Sequence, residues 1–232
     1  MTFGVLGFLP STVLVAYLAL VLPVVGRTRY RALQRGAPEQ PELRLLAYRS
    51  SITRQWLMVG VALAVLVAAG VPLADLGLTP STRLLPQLLP GLVLLVALGA
   101  GLALLLRFWG PARRRVLAPV AALLPVTAEE RRMFVAVAVT AGIAEEVLFR
   151  GFLLLYLTEI VPLPLGLAML LAAVLFGLAH SYQGLVGILL TGLAGYWLSG
   201  LYVLTGSLLL PVLVHALVDL RLLLVLPRQA RS

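Results

Sequence analysis

The sequence contains no cysteine and no lysine, and only two histidines occur among its 232 residues. Without cysteine, the chain cannot form disulfides, iron–sulfur clusters, thiolate zinc sites or a cysteine nucleophile. Charged residues are also scarce at 12%, whereas 61% of the residues are hydrophobic and the mean hydropathy is +1.06. A soluble domain carries about 25% charged residues. The composition therefore predicts an all-α, polytopic integral membrane protein.

The arginines give the chain its net charge of +9 and indicate how it is oriented in a membrane. Most of them lie in short connections between apolar runs, which the positive-inside rule places on the cytoplasmic side. Because membrane orientation accounts for the charge, we expect no nucleic-acid partner. The distribution predicts a multi-pass protein of the plasma membrane, with its N-terminus outside and its C-terminus in the cytoplasm.

Seven apolar runs are long enough to be predicted as transmembrane helices. They cover approximately residues 3–25, 56–73, 84–106, 127–159, 162–180, 185–204 and 207–226. We expect them to form a single membrane domain. Its first part, residues 1–126, holds three spans and their loops, and its second part, residues 127–226, is a core that carries the motifs described below.

Two connecting segments have compositions that predict their location. Residues 27–54 carry seven arginines and are broken by one glycine and two prolines, which predicts a cytoplasmic linker. Residues 117–124 are apolar but too short to cross a bilayer, which indicates an interfacial segment. Thr127 and Glu130 then have the spacing of a capping box, so the fourth helix is predicted to begin there.

Two carboxylates and a guanidinium, those of Glu145, Glu146 and Arg150, lie inside the fourth apolar run. An ionisable side chain near the bilayer centre costs about 3 kcal/mol or more, so such a cluster indicates a functional site. At helical spacing, Glu146 and Arg150 lie on one face and can pair, whereas Glu145 points about 100° away. The pattern predicts a structural ion pair beside a reactive carboxylate.

The last four spans contain few other ionisable groups, chiefly His180, His215 and Asp219. His215 and Asp219 are four residues apart on one helix and can face the same cavity. Glu145 lies roughly 18 Å along its helix from the cytoplasmic end. These positions predict a cytoplasm-facing funnel in which a carboxylate and imidazoles activate water. The same four side chains could instead bind Zn²⁺, and their spacing leaves both interpretations open.

Three motifs therefore occur in chain order on successive spans. They are Glu145-Glu146-x-x-x-Arg150, Phe176-x-x-x-His180 and His215-x-x-x-Asp219. Together they resemble the motifs of the CAAX-prenyl-endopeptidase and bacteriocin-processing (Abi-type) family of intramembrane proteases, over roughly residues 127–226. The resemblance implies an endopeptidase that acts on a membrane-associated peptide or a lipidated protein, of either the prenylated CAAX type or the leader and bacteriocin type.

The resemblance also implies a role for each residue of the first two motifs. Glu145 would be the general base that activates water, and His180 would assist it. Glu146 and Arg150 would hold the geometry of the site. Whether a metal takes part is left open by the resemblance, although the family carries a metalloprotease label.

His215 and Asp219 would form the oxyanion side of the site by the same resemblance. One common form of the family pattern has asparagine where this chain has Asp219. An ionised carboxylate cannot donate a hydrogen bond to an oxyanion. We therefore expect Asp219 to be protonated, to orient His215 or to bind a cation.

Other intramembrane hydrolases are excluded by their own motifs. No glutamate follows either histidine, so the His-Glu-x-x-His helix of a zinc protease is absent. Ser199 lacks the glycine two positions earlier that a rhomboid-type nucleophile would have. Neither Asp75 nor Asp219 lies in the Gly-x-Gly-Asp context of an aspartyl protease.

Two functions of other classes stay open. A proton- or ion-coupled transporter uses the same residue types as intramembrane relays, although the sequence has no inverted repeat. A non-catalytic immunity or binding member of the family would keep the fold with a vestigial site. Structural interpretations also exist for single motifs, because Glu146 with Arg150, or His215 with Asp219, could merely hold helices together. The sequence predicts neither the substrate nor the oligomeric state.

Overall fold

The chain is helical, with no strand among the residues that the structure describes. The structure is a computed structural model that describes residues 5–37, 40, 42–78, 93, 97, 99–101, 104 and 108–226. The all-α prediction is confirmed for these residues. Most of the predicted third span, 84–106, and the tail after residue 226 lie outside them.

Within the described residues we number the principal helices α1 to α7. They are α1 (Val5–Ala16, Tyr17–Val21 and Leu22–Gly36), α2 (Glu42–Ala68), α3 (Gly110–Leu117), α4 (Ala128–Glu146, Val147–Leu153 and Leu154–Glu159), α5 (Leu165–Ala179), α6 (Gly184–Thr205) and α7 (Leu209–Leu220). Short 3₁₀ segments occupy Leu73–Leu76, Ala118–Leu123 and Ser181–Gln183. The segment predicted to be interfacial, residues 117–124, is thus one of the short connections.

Helix α4 changes its winding where its charged cluster lies. The regular α-helix Ala128–Glu146 gives way to a π-helical segment, Val147–Leu153, before α-helix resumes at Leu154. All seven residues of the π segment are buried. Such segments are frequent at functional sites because they change the direction in which side chains point. This one begins directly after Glu146.

The start of α4 is fixed by the predicted capping box. The Thr127 side chain accepts from the backbone N–H of Glu130 at 3.1 Å, and Glu130 Oε2 accepts from the N–H of Thr127 at 2.9 Å. The other oxygen of Glu130 pairs with Arg44 Nη1 of α2 at 2.8 Å. The cap therefore satisfies free N–H groups of α4 and also ties α4 to α2.

The predicted linker over 27–54 is wrong for most of its length. Helix α1 continues to Gly36 and α2 already begins at Glu42, so the helices are separated only near residues 37–41. The arginines did not end α1 because the helix is amphipathic there. Tyr30 and Leu33 are buried on one face while the arginines project from the other, as expected of residues three apart on a helix.

The predicted seventh span, 207–226, is not one continuous helix. Helix α7 ends at Leu220, a turn follows at Arg221, and Leu222–Val225 adds only one further helical turn. The Arg221 guanidinium donates to the carbonyl of Val218 at 2.8 Å and thereby satisfies a carbonyl at the helix end. As α7 has only 12 residues, it is about 18 Å long and shorter than a bilayer core.

Three of the described helical stretches are long and apolar enough to span a membrane. They are Gly7–Gly36, Glu42–Ala68 and Ser181–Thr205. Large apolar side chains are exposed along the last of these, such as Leu185, Leu189 and Leu193, as expected of a surface that faces lipid. These helices make the chain an integral membrane protein. The total of seven spans stays a prediction.

Close helix contacts bring the motif-bearing helices together. Helix α4 packs against α2 and α7, and α5 packs against α6. A Cβ atom at Gly142 of α4 would lie 3.0 Å from both Ala216 and the Val212 carbonyl of α7. A Cβ atom at Gly177 of α5 would lie 2.5 Å from the Ile188 carbonyl of α6. Glycine at these positions lets the backbones approach, which sets the distances across the site.

Candidate active site

Glu146 and Arg150 form the buried ion pair that their spacing predicts. Arg150 Nη1 lies 2.8 Å from Glu146 Oε1, and both side chains are almost completely inaccessible. Breaking such a pair leaves a charge uncompensated in a low-dielectric interior, so the two side chains constrain each other strongly. The pair provides a fixed framework at the end of the regular part of α4.

Arg150 also connects α4 to the two helices that pack beside it. Its Nη2 donates to the carbonyl of Gly195 in α6 at 3.0 Å. Its guanidinium carbon lies 4.4 Å from the ring centroid of Phe176 in α5, a cation–π contact. One side chain therefore positions α4, α5 and α6 around the site.

His215 approaches the same carboxylate from α7. Its Nδ1 lies 2.7 Å from Glu146 Oε1, the oxygen that also accepts from Arg150. Because a carboxylate oxygen that already accepts from a guanidinium is ionised, Nδ1 carries the hydrogen of this bond. The bond fixes the ring, and the Nε2 atom of His215 points away from Glu146 toward Glu145.

His180 is held at the C-terminal end of α5. Its Nδ1 lies 2.8 Å from the carbonyl of Phe176, which can only accept, so Nδ1 donates. Neutral His180 then has an acceptor at Nε2. The Phe176 ring contacts both imidazoles, with centroid separations of 4.7 Å to His180 and 5.9 Å to His215. Phe176 therefore packs between the groups that the first and third motifs supply.

One oxygen of Glu145 faces both histidines. Glu145 Oε2 lies 3.7 Å from Nε2 of His180 and 3.9 Å from Nε2 of His215. It has no hydrogen-bond partner among the described residues, and the Glu145 side chain is 18% exposed. Separations of this size are too long for direct hydrogen bonds, so the three atoms face a common space beside which a water molecule can bind. The three motifs thus converge on a space lined by Glu145, His180 and His215.

Asp219 lies at the edge of this convergence. Its Oδ2 is 3.9 Å from Nε2 of His215, and its side chain is 36% exposed, compared with 9% for His215. The predicted common orientation of the two residues is confirmed, since both line one cavity of about 440 Å³. Glu145 and His180 line the same cavity, whose remaining wall is largely apolar and includes Phe134, Trp197 and Val214.

Sequence reasoning missed two contacts that other helices supply. Gln55 of α2 approaches Glu145, with 3.5 Å between its Nε2 and Glu145 Oε1. Gly195 of α6 provides the carbonyl that accepts from Arg150. Ser51 and Gln55, four residues apart on α2, were the available signal for the first contact. A backbone carbonyl leaves no signal in a sequence.

The donor atoms do not form a ready metal site. Among the described residues, no group of three or more His, Asp or Glu side chains is arranged to hold a metal ion. The 3.7 and 3.9 Å separations exceed the value of about 3.3 Å expected between ligands of a tetrahedral zinc ion with bonds near 2.0 Å. We therefore derive no step through a metal from this geometry.

Comparison with protein families gives a match in the second half of the chain. Residues 127–221 match the family model described as type II CAAX prenyl endopeptidase Rce1-like. All six candidate site residues lie inside this match. Neither a comparison with curated proteins nor one with solved structures returns a match.

The Rce1-like domain begins at the capping box of α4 and ends just after α7. It therefore contains the Glu145–His180–His215 convergence and the Glu146–Arg150 pair. The family is one of peptidases, so the resemblance found in the sequence is confirmed. Gln55 and the rest of α1 and α2 lie outside the Rce1-like domain, although α2 contacts Glu145.

Proposed function

We propose that this protein is an intramembrane endopeptidase that hydrolyses a peptide bond of a membrane-associated substrate through water activated by Glu145 and His180. The observation that carries the proposal is the convergence of Glu145 Oε2 with two imidazole Nε2 atoms, at 3.7 and 3.9 Å. A carboxylate and a neutral imidazole that both accept can hold one water by its two hydrogens, which leaves the oxygen lone pairs free to attack.

In the proposed reaction, the water oxygen attacks the carbonyl carbon of the scissile bond while Glu145 takes a proton. The carbonyl electrons move to oxygen, and His215, protonated and held by Glu146, donates from Nε2 to the resulting oxyanion. The carbon–nitrogen bond then breaks, and Glu145 returns the proton to the leaving amine. One water and one amide thus yield a carboxylic acid and an amine.

Asp219 acts as a positioning residue in this mechanism. At 3.9 Å from Nε2 of His215 it favours the imidazolium form electrostatically without being deeply buried. Glu146 does the same from the other side of the ring, at 2.7 Å from Nδ1. Two carboxylates flanking one imidazole support a role in which His215 carries a positive charge toward the oxyanion.

The substrate that we propose is a prenylated CAAX-type protein, in accordance with the description of the Rce1-like family. The largely apolar wall of the 440 Å³ cavity supports it, since a prenyl chain needs such a surface beside the scissile bond. We propose that the site faces the cytoplasmic side of the plasma membrane, in accordance with the distribution of the arginines. A leader- or bacteriocin-type peptide is the alternative substrate.

The non-catalytic alternatives have less support. An immunity-type protein has no need to keep six motif side chains, yet all six are present and those of Glu145, His180 and His215 converge. A proton-coupled transporter would pass protons onward from the site. The convergence instead lies beside a cavity large enough for a substrate segment.

The test is cleavage of a synthetic peptide that carries an S-farnesyl cysteine three residues before a free C-terminus. We expect the wild-type protein in detergent to release a C-terminal fragment, and Glu145→Gln to lower the rate by about 10²–10⁴-fold, the usual contribution of a general base. Glu129→Gln is the matched control, because Glu129 lies on the same helix with a side chain that is 57% exposed. Equal rates for wild type and Glu145→Gln would overturn the assignment.

A further inference from the structure

A second cavity of about 210 Å³ also has Glu145 in its wall. Helices α1 and α2 form much of its wall, and Glu145, His180 and Gln55 line both this cavity and the larger one. Both walls are largely apolar, but their charged groups differ. Arg221, Asp219 and His215 line only the larger cavity, whereas Arg29 and Arg54 line only the smaller. The smaller cavity also carries the polar side chains of Tyr30, Ser50, Ser51 and Gln55.

One guanidinium nitrogen of Arg54 has no partner in this smaller cavity. The Nη1 atom is buried and has no hydrogen-bond partner among the described residues. Arg29 and Glu145 line the same cavity, so two guanidinium groups and one carboxylate border it. Glu145 becomes neutral each time it takes a proton from water. Because an unpartnered guanidinium N–H is a strong donor to a carboxylate or phosphate, the cavity is suited to a bound anion.

The position of this cationic pair relative to Glu145 defines a direction for the substrate. Gln55, the residue after Arg54, reaches Glu145 directly, and Arg54 and Glu145 line the same cavity. A peptide that places its lipidated part in the larger cavity and its scissile bond at Glu145 continues into the smaller cavity. At 210 Å³ that cavity holds only a short segment, since three extended residues already span about 10 Å.

We propose that Arg54, with Arg29 beside it, binds the free C-terminal carboxylate of the substrate and so fixes the number of residues removed. This inference rests on the proposed function and adds a specificity-determining subsite to it. A guanidinium suits the task because its planar donors match a carboxylate. Ser50, Ser51 and Gln55 supply further polar groups for the backbone of the short segment. An acidic side chain of the substrate fits less well than its C-terminal carboxylate. The substrate backbone would then have to continue past the acidic residue, beyond a cavity that the short segment already fills.

The test compares two farnesylated peptides that differ only in ending with a carboxylate or a carboxamide. Affinity is measured by fluorescence anisotropy in neutral detergent, on the Glu145→Gln background so that no cleavage occurs. We expect the carboxylate peptide to bind about 10- to 100-fold more tightly, the range of a charge-assisted hydrogen bond. Arg54→Gln should remove this preference by weakening only the carboxylate peptide. Arg49→Gln is the control, because Arg49 lies on α2 with a side chain that is 63% exposed.

Arg54→Lys and Arg29→Gln keep the inference testable if Arg54→Gln does not fold. Lysine retains the positive charge but lacks the paired N–H donors of a guanidinium, so Arg54→Lys should recover part of the preference for the carboxylate peptide. Arg29→Gln should reduce this preference. In proteins with Glu145 intact, mass spectrometry gives the length of the fragment. This length should stay constant when residues are added before the farnesyl cysteine, and cleavage should slow when residues are added at the C-terminus.

The outcomes separate the subsite from the proposed function. Cleavage by the wild type with no preference for the carboxylate would overturn the subsite and leave the endopeptidase standing. A preference in binding that depends on Arg54, with no cleavage by the wild type, would support the subsite and overturn the endopeptidase. An Arg54→Gln protein that loses binding to phosphatidylglycerol but keeps the peptide preference would assign the pair to a lipid headgroup and overturn the subsite.

Discussion

His215 and Glu146, 69 residues apart in the chain, share a hydrogen bond of 2.7 Å in the buried part of the site. The same oxygen of Glu146 also accepts from Arg150 at 2.8 Å. Glu146 of α4 thus orients His215 of α7, and Arg150, one turn further along α4, holds Glu146 in place. Any change that moves Glu146 is expected to reach His215, and through it the space beside Glu145.

Arg150→Ala should destabilise the protein as well as inactivate it. Removing the guanidinium leaves Glu146 buried with only His215 as a partner, which is expected to lower the free energy of unfolding by about 3–5 kcal/mol. Thermal unfolding in detergent measures the loss. Arg49→Ala is the control, because the 3.9 Å pair of Arg49 with Glu129 is exposed and should contribute less than about 1 kcal/mol. An unchanged melting temperature for Arg150→Ala would contradict a structural role for the pair.

The double variant Glu146→Gln/Arg150→Met separates the structural role of the ion pair from its functional one. Replacing both partners removes the uncompensated charge, so much of the stability that Arg150→Ala loses should return. Peptidase activity should remain low, since His215 has lost the carboxylate that holds its ring. If activity returned together with stability, Glu146 would serve packing alone.

Phe176→Leu should impair activity more than its loss of packing explains. The Phe176 ring contacts His180, His215 and Arg150, with a centroid distance of 4.7 Å to the His180 ring. A displacement of about 1 Å in either imidazole can cost up to about 100-fold in rate. Phe152→Leu is the control, since Phe152 is as deeply buried but its nearest ring partner is Tyr156, at a centroid distance of 6.5 Å and outside the site. The activity is measured as kcat on the farnesylated peptide. Equal losses in the two variants would show that Phe176 contributes through packing alone.

Gly195→Ala should disturb the site through Arg150 and Phe176. The added Cβ atom would lie 2.9 Å from the Phe176 ring and 3.2 Å from Arg150 Nη2, so one of them must move. Overpacking of this kind costs about 1–3 kcal/mol, and we expect a matching fall in melting temperature together with lost activity. Gly200→Ala on the same helix is the control, because nothing lies within 4 Å of its added Cβ. It should be neutral or slightly stabilising.

Elemental analysis tests the zinc alternative that the sequence left open. With Nε2 atoms at 3.7 and 3.9 Å from Glu145 Oε2, we expect wild-type protein to cleave the farnesylated peptide after treatment with a chelator. Stoichiometric zinc that disappears in the His180→Ala/His215→Ala double variant, with activity lost on chelation, would contradict this. The mechanism would then become Lewis-acid hydrolysis with these side chains as ligands.

The internal geometry of each motif could be predicted because it follows from helical periodicity. Glu146 and Arg150 pair at a spacing of four residues, and Thr127 with Glu130 forms the capping box that its spacing indicates. That the three motifs come together in one site was predicted from the family resemblance, because no single residue spacing indicates it. Only the packing of α4, α5 and α7 brings Glu145 within 4 Å of both histidines.

The first part of the chain was harder to predict, for a physical reason. An arginine-rich stretch has the same composition whether it is a loop or the exposed face of a helix, and only the buried Tyr30 and Leu33 distinguish the two. Gln55 and Arg54 could not be assigned to the site, because Gln55 contacts Glu145, and Arg54 lines a cavity with it, from a helix some 90 residues away. Contacts between distant segments depend on how the helices pack, which local patterns do not specify.

The length of α5 has a consequence for the surrounding lipid. Its 15 residues rise only about 22 Å, while the hydrocarbon core of a bilayer is about 30 Å thick. Several leucines of α5 are exposed and must be covered by acyl chains. Local thinning of the bilayer is one way in which a hydrophobic stretch of this length is accommodated. We expect such thinning beside the His180 end of α5, where it would shorten the path of the hydrolytic water to the reacting groups.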